Sequence, residues 1–294
     1  MSNRINVSKT YKIFIGGKFL RTESGRYYKL EVKNKFIANI CLSSKKDLRN
    51  AVVASRNAFD VWSRFSAYKR SQILYRIAEM MEGRKAQFIE EIILQGINST
   101  TAKKEINTSI DRIIYYAGWA DKINQVFGSI NPIASSHFNF SLFEPMGVVG
   151  IVLPETPSIL GLVSMLCPVI LSGNTAVLIT SESAPLSAVT FAEVLLNSDV
   201  PNGCVNILTG KKIELIPHLT KHMDVNAIFL NNDDKEFQKN IELDAAINLK
   251  RVIMSSDKGW MDNFSENPYS ITNFMETKTT WHPIENISDT NNSY

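Results

Sequence analysis

The sequence predicts an α/β fold, a parallel β-sheet with helices on both faces. Two observations carry this. Residues 144–210 hold strand–helix units in tandem, with Val148 to Val152, Ala176 to Ile179 and Val205 to Leu208 as short apolar strands. Strands that are apolar along their whole length, alternating with helical segments, belong to a sheet covered on both sides. The pattern then continues, with Ala227 to Leu230 and Lys250 to Met254 flanking a helical stretch from Lys235 to Ile247.

The elements follow in order. Tyr11 to Leu20, turning at Gly16-Gly17, reads as a β-hairpin, and Tyr27 to Val32 as a further strand. Ser44-Lys45-Lys46-Asp47 starts a helix that runs to about Trp62, because a serine hydroxyl satisfies a free N–H of the first turn. Leu48, Val52, Ala58, Phe59 and Trp62 recur at helical spacing. A second helix is expected from Tyr68 to about Gln95, with Ile73, Leu74, Ile77, Met80 and Met81 on one face. A third is expected from Ala102 to Phe127. Its aromatic run, Tyr115, Tyr116 and Trp119, suits packing against the sheet better than stacking on bases. Phe138, Phe140 and Leu142 then alternate with Asn139, Ser141 and Phe143, a strand-like pattern. Ile159 to Leu171 is an apolar helical segment, Gly173-Asn174 a turn, Pro185 a helix start, and Pro201-Asn202-Gly203 a turn into the third core strand. Phe274 to Trp281 alternates like a strand once more.

Bulk properties exclude several classes. A net charge of +3 over 294 residues, without a basic cluster interleaved with aromatics, gives no footprint for nucleic acid. Met1 to Thr10 is polar and lacks the apolar core of a secretory signal, and no apolar run approaches the roughly 20 residues that span a membrane. Cys41, Cys167 and Cys204 are unspaced, which suits a reducing compartment, and a cytoplasmic location is the expectation. Cys167 sits in an apolar helix and Cys204 opens a buried strand, so both read as core thiols. His218 and His222 are four apart, as metal ligands on one helix face would be, but no third ligand is legible. Asp233-Asp234 suits a helix cap better than a cation site.

The wording of the core is more specific than its pattern. EPMGVVG, GNTAVL, SESAPLSA and PNGCVNILTG, with GGKFLRTESGRYY and YYAGWADK upstream and FMETKTTWHP downstream, closely resemble the aldehyde dehydrogenase superfamily. The resemblance implies a Rossmann-like NAD-binding domain over 1–128 and 145–256. It also implies a small antiparallel β-flap from 129–144 and 272–284, the family's oligomerisation element. The ligand positions differ from the family's phrases. Pro154-Glu155-Thr156 stands where the family has PWN, whose Asn binds the oxyanion. Ile179-Thr180-Ser181-Glu182 stands for KPSE, whose Lys and Glu hold the adenosine ribose, so only Ser181 and Glu182 survive. Asn231, Asn232, Asp233 and Asp234 follow a strand that in the family leads to a phosphate-contacting glycine, and Ser255-Ser256-Asp257 replaces the general-base Glu of ELGG. Two carboxylates beside a pyrophosphate site would repel it.

The nucleophile should lie further on, in a catalytic domain of about 200 residues. The short remainder after Met254 suggests instead that a linker, 257–271, joins the nucleotide domain to the terminal strand, with a disordered tail at 285–294. The chain thus resembles the truncated second module of long two-module aldehyde dehydrogenases, a pseudoenzyme with no catalytic residue. The resemblance implies that it docks on a full-length NAD-dependent aldehyde dehydrogenase or on itself, through Phe138, Phe140, Leu142, Phe274 and Trp281. No metal is expected. NAD is the one candidate cofactor, with Ser181, Glu182 and Thr156 as its remaining contacts. A residual NAD(P)-binding protein and an oxidoreductase acting on aldehydes are the alternatives.

Overall fold

The computed structural model describes residues 9–232, 234–255, 259–262 and 266–284; Met1 to Ser8, Asp233, residues 256–258 and 263–265, and the tail from Glu285 lie outside them. The chain opens with β1 (Thr10–Tyr11), the hairpin β2 (Ile13–Ile15) and β3 (Lys18–Leu20), and the pair β4 (Tyr27–Val32) and β5 (Lys35–Cys41). Gly16 and Gly17 turn the hairpin with φ of 58° and 78°, which only glycine adopts freely. Four helices follow: α1 (Lys45–Ser63), α2 (Ala67–Gly83), α3 (Lys85–Leu94) and α4 (Ser99–Ala117). Ser44 and Asp47 close a reciprocal capping box on α1.

The expected second helix is in fact two, broken at Arg84 directly after Gly83, where helix propensity is weakest. The expected third helix ends at Gly118, and α5 (Ile123–Phe127) is a separate turn.

Next come β6 (Ser129–Ile130), β7 (His137–Pro145), β8 (Val148–Val152), α6 (Ser158–Leu171), β9 (Thr175–Ile179), α7 (Leu186–Leu196), β10 (Val205–Leu208) and α8 (Lys212–Thr220). The series ends with β11 (Ala227–Asn231), α9 (Lys235–Ala246), β12 (Arg251–Ser255), α10 (Tyr269–Thr272) and β13 (Met275–Pro283). The main sheet runs β12-β11-β8-β9-β10-β2-β3, parallel from β12 to β10 and closed at one edge by the hairpin.

Alternate residues of each strand feed two separate cores. Val149, Ile151, Leu178, Ile207 and Phe229 pack under α2, α4, α6 and α7, while Val148, Val152, Val177, Ile179 and Leu230 pack under α1, α8 and α9. This two-sided burial is why the strands read as unbroken apolar runs. Fully buried Trp62 donates its indole N–H to the Ile170 carbonyl at 3.0 Å. Among the described residues, no helix is long and apolar enough to cross a membrane.

The antiparallel flap is present, in the order β13-β7-β6, with β13 and β7 in register from Met275↔Pro145 to Pro283↔His137. Two expectations at its edge need correction. Phe274 is fully buried, its ring 5.1 Å from that of Phe229, so it belongs to the α/β core and not to a docking surface. The expected linker is also more than a connector. Trp260 and Ile271 are buried in the core, and the Asp262 carbonyl accepts a hydrogen bond from buried Arg112.

Candidate functional site

Strand order reverses between β8 and β11, and ligands of open α/β sheets sit beyond the carboxyl ends of strands at such a point. On the other side of β8, the exits of β8, β9 and β10 converge. Glu155, just past β8, reaches the loop after β9. Its Oε2 accepts from Ser181 Oγ at 2.8 Å, Glu182 N at 3.1 Å, Ser183 N at 3.0 Å and Ser183 Oγ at 2.7 Å. Its Oε1 forms an ion pair with Lys212 Nζ, which also donates to the Leu153 carbonyl at 2.6 Å. Glu182 in turn accepts from Lys211 Nζ at 2.9 Å and from the Lys212 backbone N–H at 2.7 Å. Two carboxylates and two ammonium groups therefore pair off across the ends of three strands.

Electrostatics follow from this pairing. Burial raises the Glu155 carboxyl, but Lys212 and the Ser183 donors outweigh it and hold the group at about 2. The folded value lies below the ordinary 4.5, so Glu155 contributes stability above pH 4.5 that is lost as pH falls toward 2. The Glu155→Gln protein should accordingly lose less stability than wild type across that window in acid-denaturation curves. Identical curves would contradict the pairing. The side chain is 46% exposed, so the effect is screened and modest.

The residues predicted to contact a cofactor are split by the fold. Ser181 is buried and holds its own loop, accepting from Ala184 N at 2.9 Å while it donates to Glu155. Glu182 is engaged by Lys211 and Lys212. Thr156 points elsewhere, into a cavity of about 450 Å³ lined by Ile97, Thr101, Glu105, Asn231 and Trp260. Asn231 Nδ2 donates to the Ser255 carbonyl at 2.7 Å, tying β11 to β12, and Asp234 caps α9 by accepting from Glu236 N and Phe237 N. These residues do not fit a dinucleotide: the ribose carboxylate is already bound, and the place of the ribose lysine is held by Ile179, which is buried in the core.

Sequence reasoning missed Lys211, Lys212 and Glu105. The buried Glu105 carboxylate accepts from Ile159 N at 2.9 Å and Leu160 N at 3.3 Å, capping α6, and burial raises its pKa. The adjacent Lys211-Lys212 pair just past a strand end was the legible signal for the first two.

The remaining candidates are structural. The three cysteines are buried, and burial pushes the Cys167 and Cys204 thiols up. His218 and His222 share a pocket with Lys45, Arg49 and Lys221; burial lowers both imidazoles first, helped by Lys45 and Lys221 at His218 and, against Asp224, by Lys250, Arg49 and Arg56 at His222, a field that opposes a metal ion. Among the described residues no group of three His, Cys, Asp or Glu side chains gathers as a metal site would require.

The flap presents a second kind of site. Residues directly opposite in an antiparallel ladder share a face. Phe138, Phe140 and Leu142 therefore lie with Ile130, Lys278, Thr280 and His282, and they line an apolar groove of about 650 Å³ against Asn124 and Gln125. Trp281 stands opposite Asn139, on the other face. The expected single patch is thus two surfaces.

Known proteins share this architecture. The chain is 30% identical over 259 residues to the cytosolic 10-formyltetrahydrofolate dehydrogenase of Mus musculus and 31% identical over 261 residues to that of Homo sapiens, each match covering 85% of this chain but only 28% of the relative. Among solved structures, it is similar to the aldehyde dehydrogenase of Bacillus cereus in its NAD+ complex, with a TM-score of 0.79 at 25% identity. It is also similar to an NAD-dependent aldehyde dehydrogenase from Sinorhizobium meliloti, with a TM-score of 0.78 at 26% identity. Each likeness covers 84% of this chain and 50% of the other, so the chain spans about half the length of these enzymes. Residues 24–256 match the aldehyde dehydrogenase family profile, and with these likenesses they establish that the chain belongs to the aldehyde dehydrogenase family.

Proposed function

We propose that this chain is a non-catalytic member of the family that docks on a full-length NAD-dependent aldehyde dehydrogenase through its β-flap. The observation that carries the reading is the flap itself. β13 and β7 pair over their full length, yet Ile130 is 72% exposed, Phe138 43% and Leu142 40%, all on one face. A small sheet of this size is marginal alone and leaves free edges, and an exposed apolar face of aromatic and aliphatic side chains marks a contact surface. Two further features support a non-catalytic role. The connection 256–274 between β12 and β13 is far too short to contain a domain of about 200 residues. The ribose-binding carboxylate, Glu182, is engaged within the chain.

Co-expression with a full-length homologue, followed by size-exclusion chromatography, tests the docking. Co-elution is expected, and persistently separate elution would sink it. Titration with NAD tests the other half. Binding weaker than millimolar is expected, and a tighter dissociation constant would revive a cofactor-dependent role.

A further inference from the structure

The pocket whose field opposes a metal ion suits the opposite charge. It lies where α1 packs against α8, and Lys45, Leu48, Arg49, His218, Lys221 and His222 line its volume of about 280 Å³. Lys45 and Arg49 stand one turn apart on α1, a spacing at which like charges repel. Lys45 is also the first residue of that helix, at the positive end of its dipole, where a cation is disfavoured. Asp47 gives no relief, because its carboxylate accepts from the backbone N–H groups of Glu23 and Ser44. Among the described residues, the Lys45 ammonium, the Arg49 guanidinium and the His218 imidazole have no hydrogen-bond or ion-pair partner. Lys221 is offset by Asp244 at 3.5 Å.

We infer that this cleft binds a compact, multiply charged oxyanion of the phosphate class. Charges kept where local rules disfavour them, and left unbalanced by the chain, are a cost that packing does not explain. The Arg49 guanidinium offers the planar donor fork that suits phosphate oxygens, and the two lysines add point charges. His222 supplies a neutral donor: its Nδ1 accepts from Asp224 N at 3.2 Å, so the ring carries its proton on Nε2. Lys45, Arg49 and Lys221 are exposed, so an anion reaches them from solvent. The volume falls just below the range of about 300–1,000 Å³ usual for ligand pockets, which suits a small anion and not a dinucleotide. The site is also separate from the Glu155 cluster. α8 starts at Lys212 and ends at Thr220, so about 13 Å of helix lies between the two.

Calorimetric titration of the full chain with inorganic pyrophosphate, and separately with ADP, tests this. Pyrophosphate is expected to bind with a dissociation constant below about 1 mM, and Lys45→Ala combined with Arg49→Ala should weaken it at least about ten-fold. Tighter binding of ADP would assign the cleft to nucleotide-borne phosphates, and equal or weaker binding to the free ion; either supports it. Both side chains are exposed and repel each other, so the double variant should fold. Wild-type binding weaker than about 1 mM overturns the inference, as does a smaller loss in the variant. The histidines give a readout that needs no substitution. His218 and His222 line the cleft, whereas His137 and His282 lie on the flap. Burial, and beyond it Lys45 and Lys221, lowers His218; burial, with Lys250, Arg49 and Arg56 opposed by Asp224, lowers His222. A bound anion counters the cations, so both titration midpoints should rise in NMR spectra while the signals of the flap histidines stay in place. Midpoints that do not move, or four histidines that respond alike, count against the cleft. It shares no residue with the flap groove, so co-elution with a partner is unaffected by either result.

Discussion

Asn174→Ala is expected to destabilise the protein by about 3–5 kcal/mol, one of the largest losses any single polar substitution would cause here. The side chain is fully buried and makes four hydrogen bonds. Its Oδ1 accepts from Met146 N and Gly147 N, both at 2.8 Å, and its Nδ2 donates to Ser172 Oγ at 2.7 Å and to the Phe274 carbonyl at 2.6 Å. Alanine strands these partners without water, and each buried unpaired group costs about 1–3 kcal/mol. The contacts also join three parts of the chain: the β7–β8 corner, the turn after α6 and the residue that leads into β13. The loss should lower the melting temperature by about 10 °C and loosen the flap from the body. Urea denaturation measures the first, and co-elution with the partner measures the second. A loss below about 1 kcal/mol would mean that the corner relaxes and re-pairs its groups.

Asn174 also shows where the sequence stops being legible. It could be read as part of a turn, because Gly173-Asn174 is a local signal and the φ of 95° at Gly173 suits glycine. Its bond to Phe274 could not, since nothing local connects residues 100 apart. The same division runs through the molecule. The parallel strands, the capping box at Ser44 and the alternation of Phe138, Phe140 and Leu142 depend on spacing within one segment, and the structure has each of them. Glu155 with Lys212, Glu105 with Ile159, and the burial of Phe274 depend on which strand ends meet, and periodicity carries no record of that. Alternation likewise placed Trp281 in a strand but not on a face, which the pairing with Asn139 decides. The candidate cofactor contacts do not gather in one place, because Thr156 lines a different cavity from the cluster that holds Ser181 and Glu182.

Splitting the flap into two faces makes the docking reading sharper. Phe138→Asp combined with Leu142→Asp is expected to weaken partner binding at least about 100-fold, because apolar and aromatic anchors at an interface centre are each worth about 2 kcal/mol or more when truncated. A charge placed in the groove adds a desolvation cost on top of the lost contact. Both residues are well exposed, so the isolated chain should keep its stability within about 1 kcal/mol. Trp281→Ala acts as the internal control. Its ring lies on the opposite face, edge-on to His137 at 5.9 Å, so its loss should weaken binding less than about ten-fold. Deleting the whole of Phe274 to Trp281 would be a poorer experiment, since removing buried Phe274 alone would cost about 3–5 kcal/mol and confound docking with unfolding. Binding measured by surface immobilisation of the full-length partner separates the outcomes. If the double variant binds as wild type while Trp281→Ala does not, the partner sits on the other face. If all three bind alike, the contact lies along the backbone edge of β13, and a proline placed there would be the substitution that breaks it.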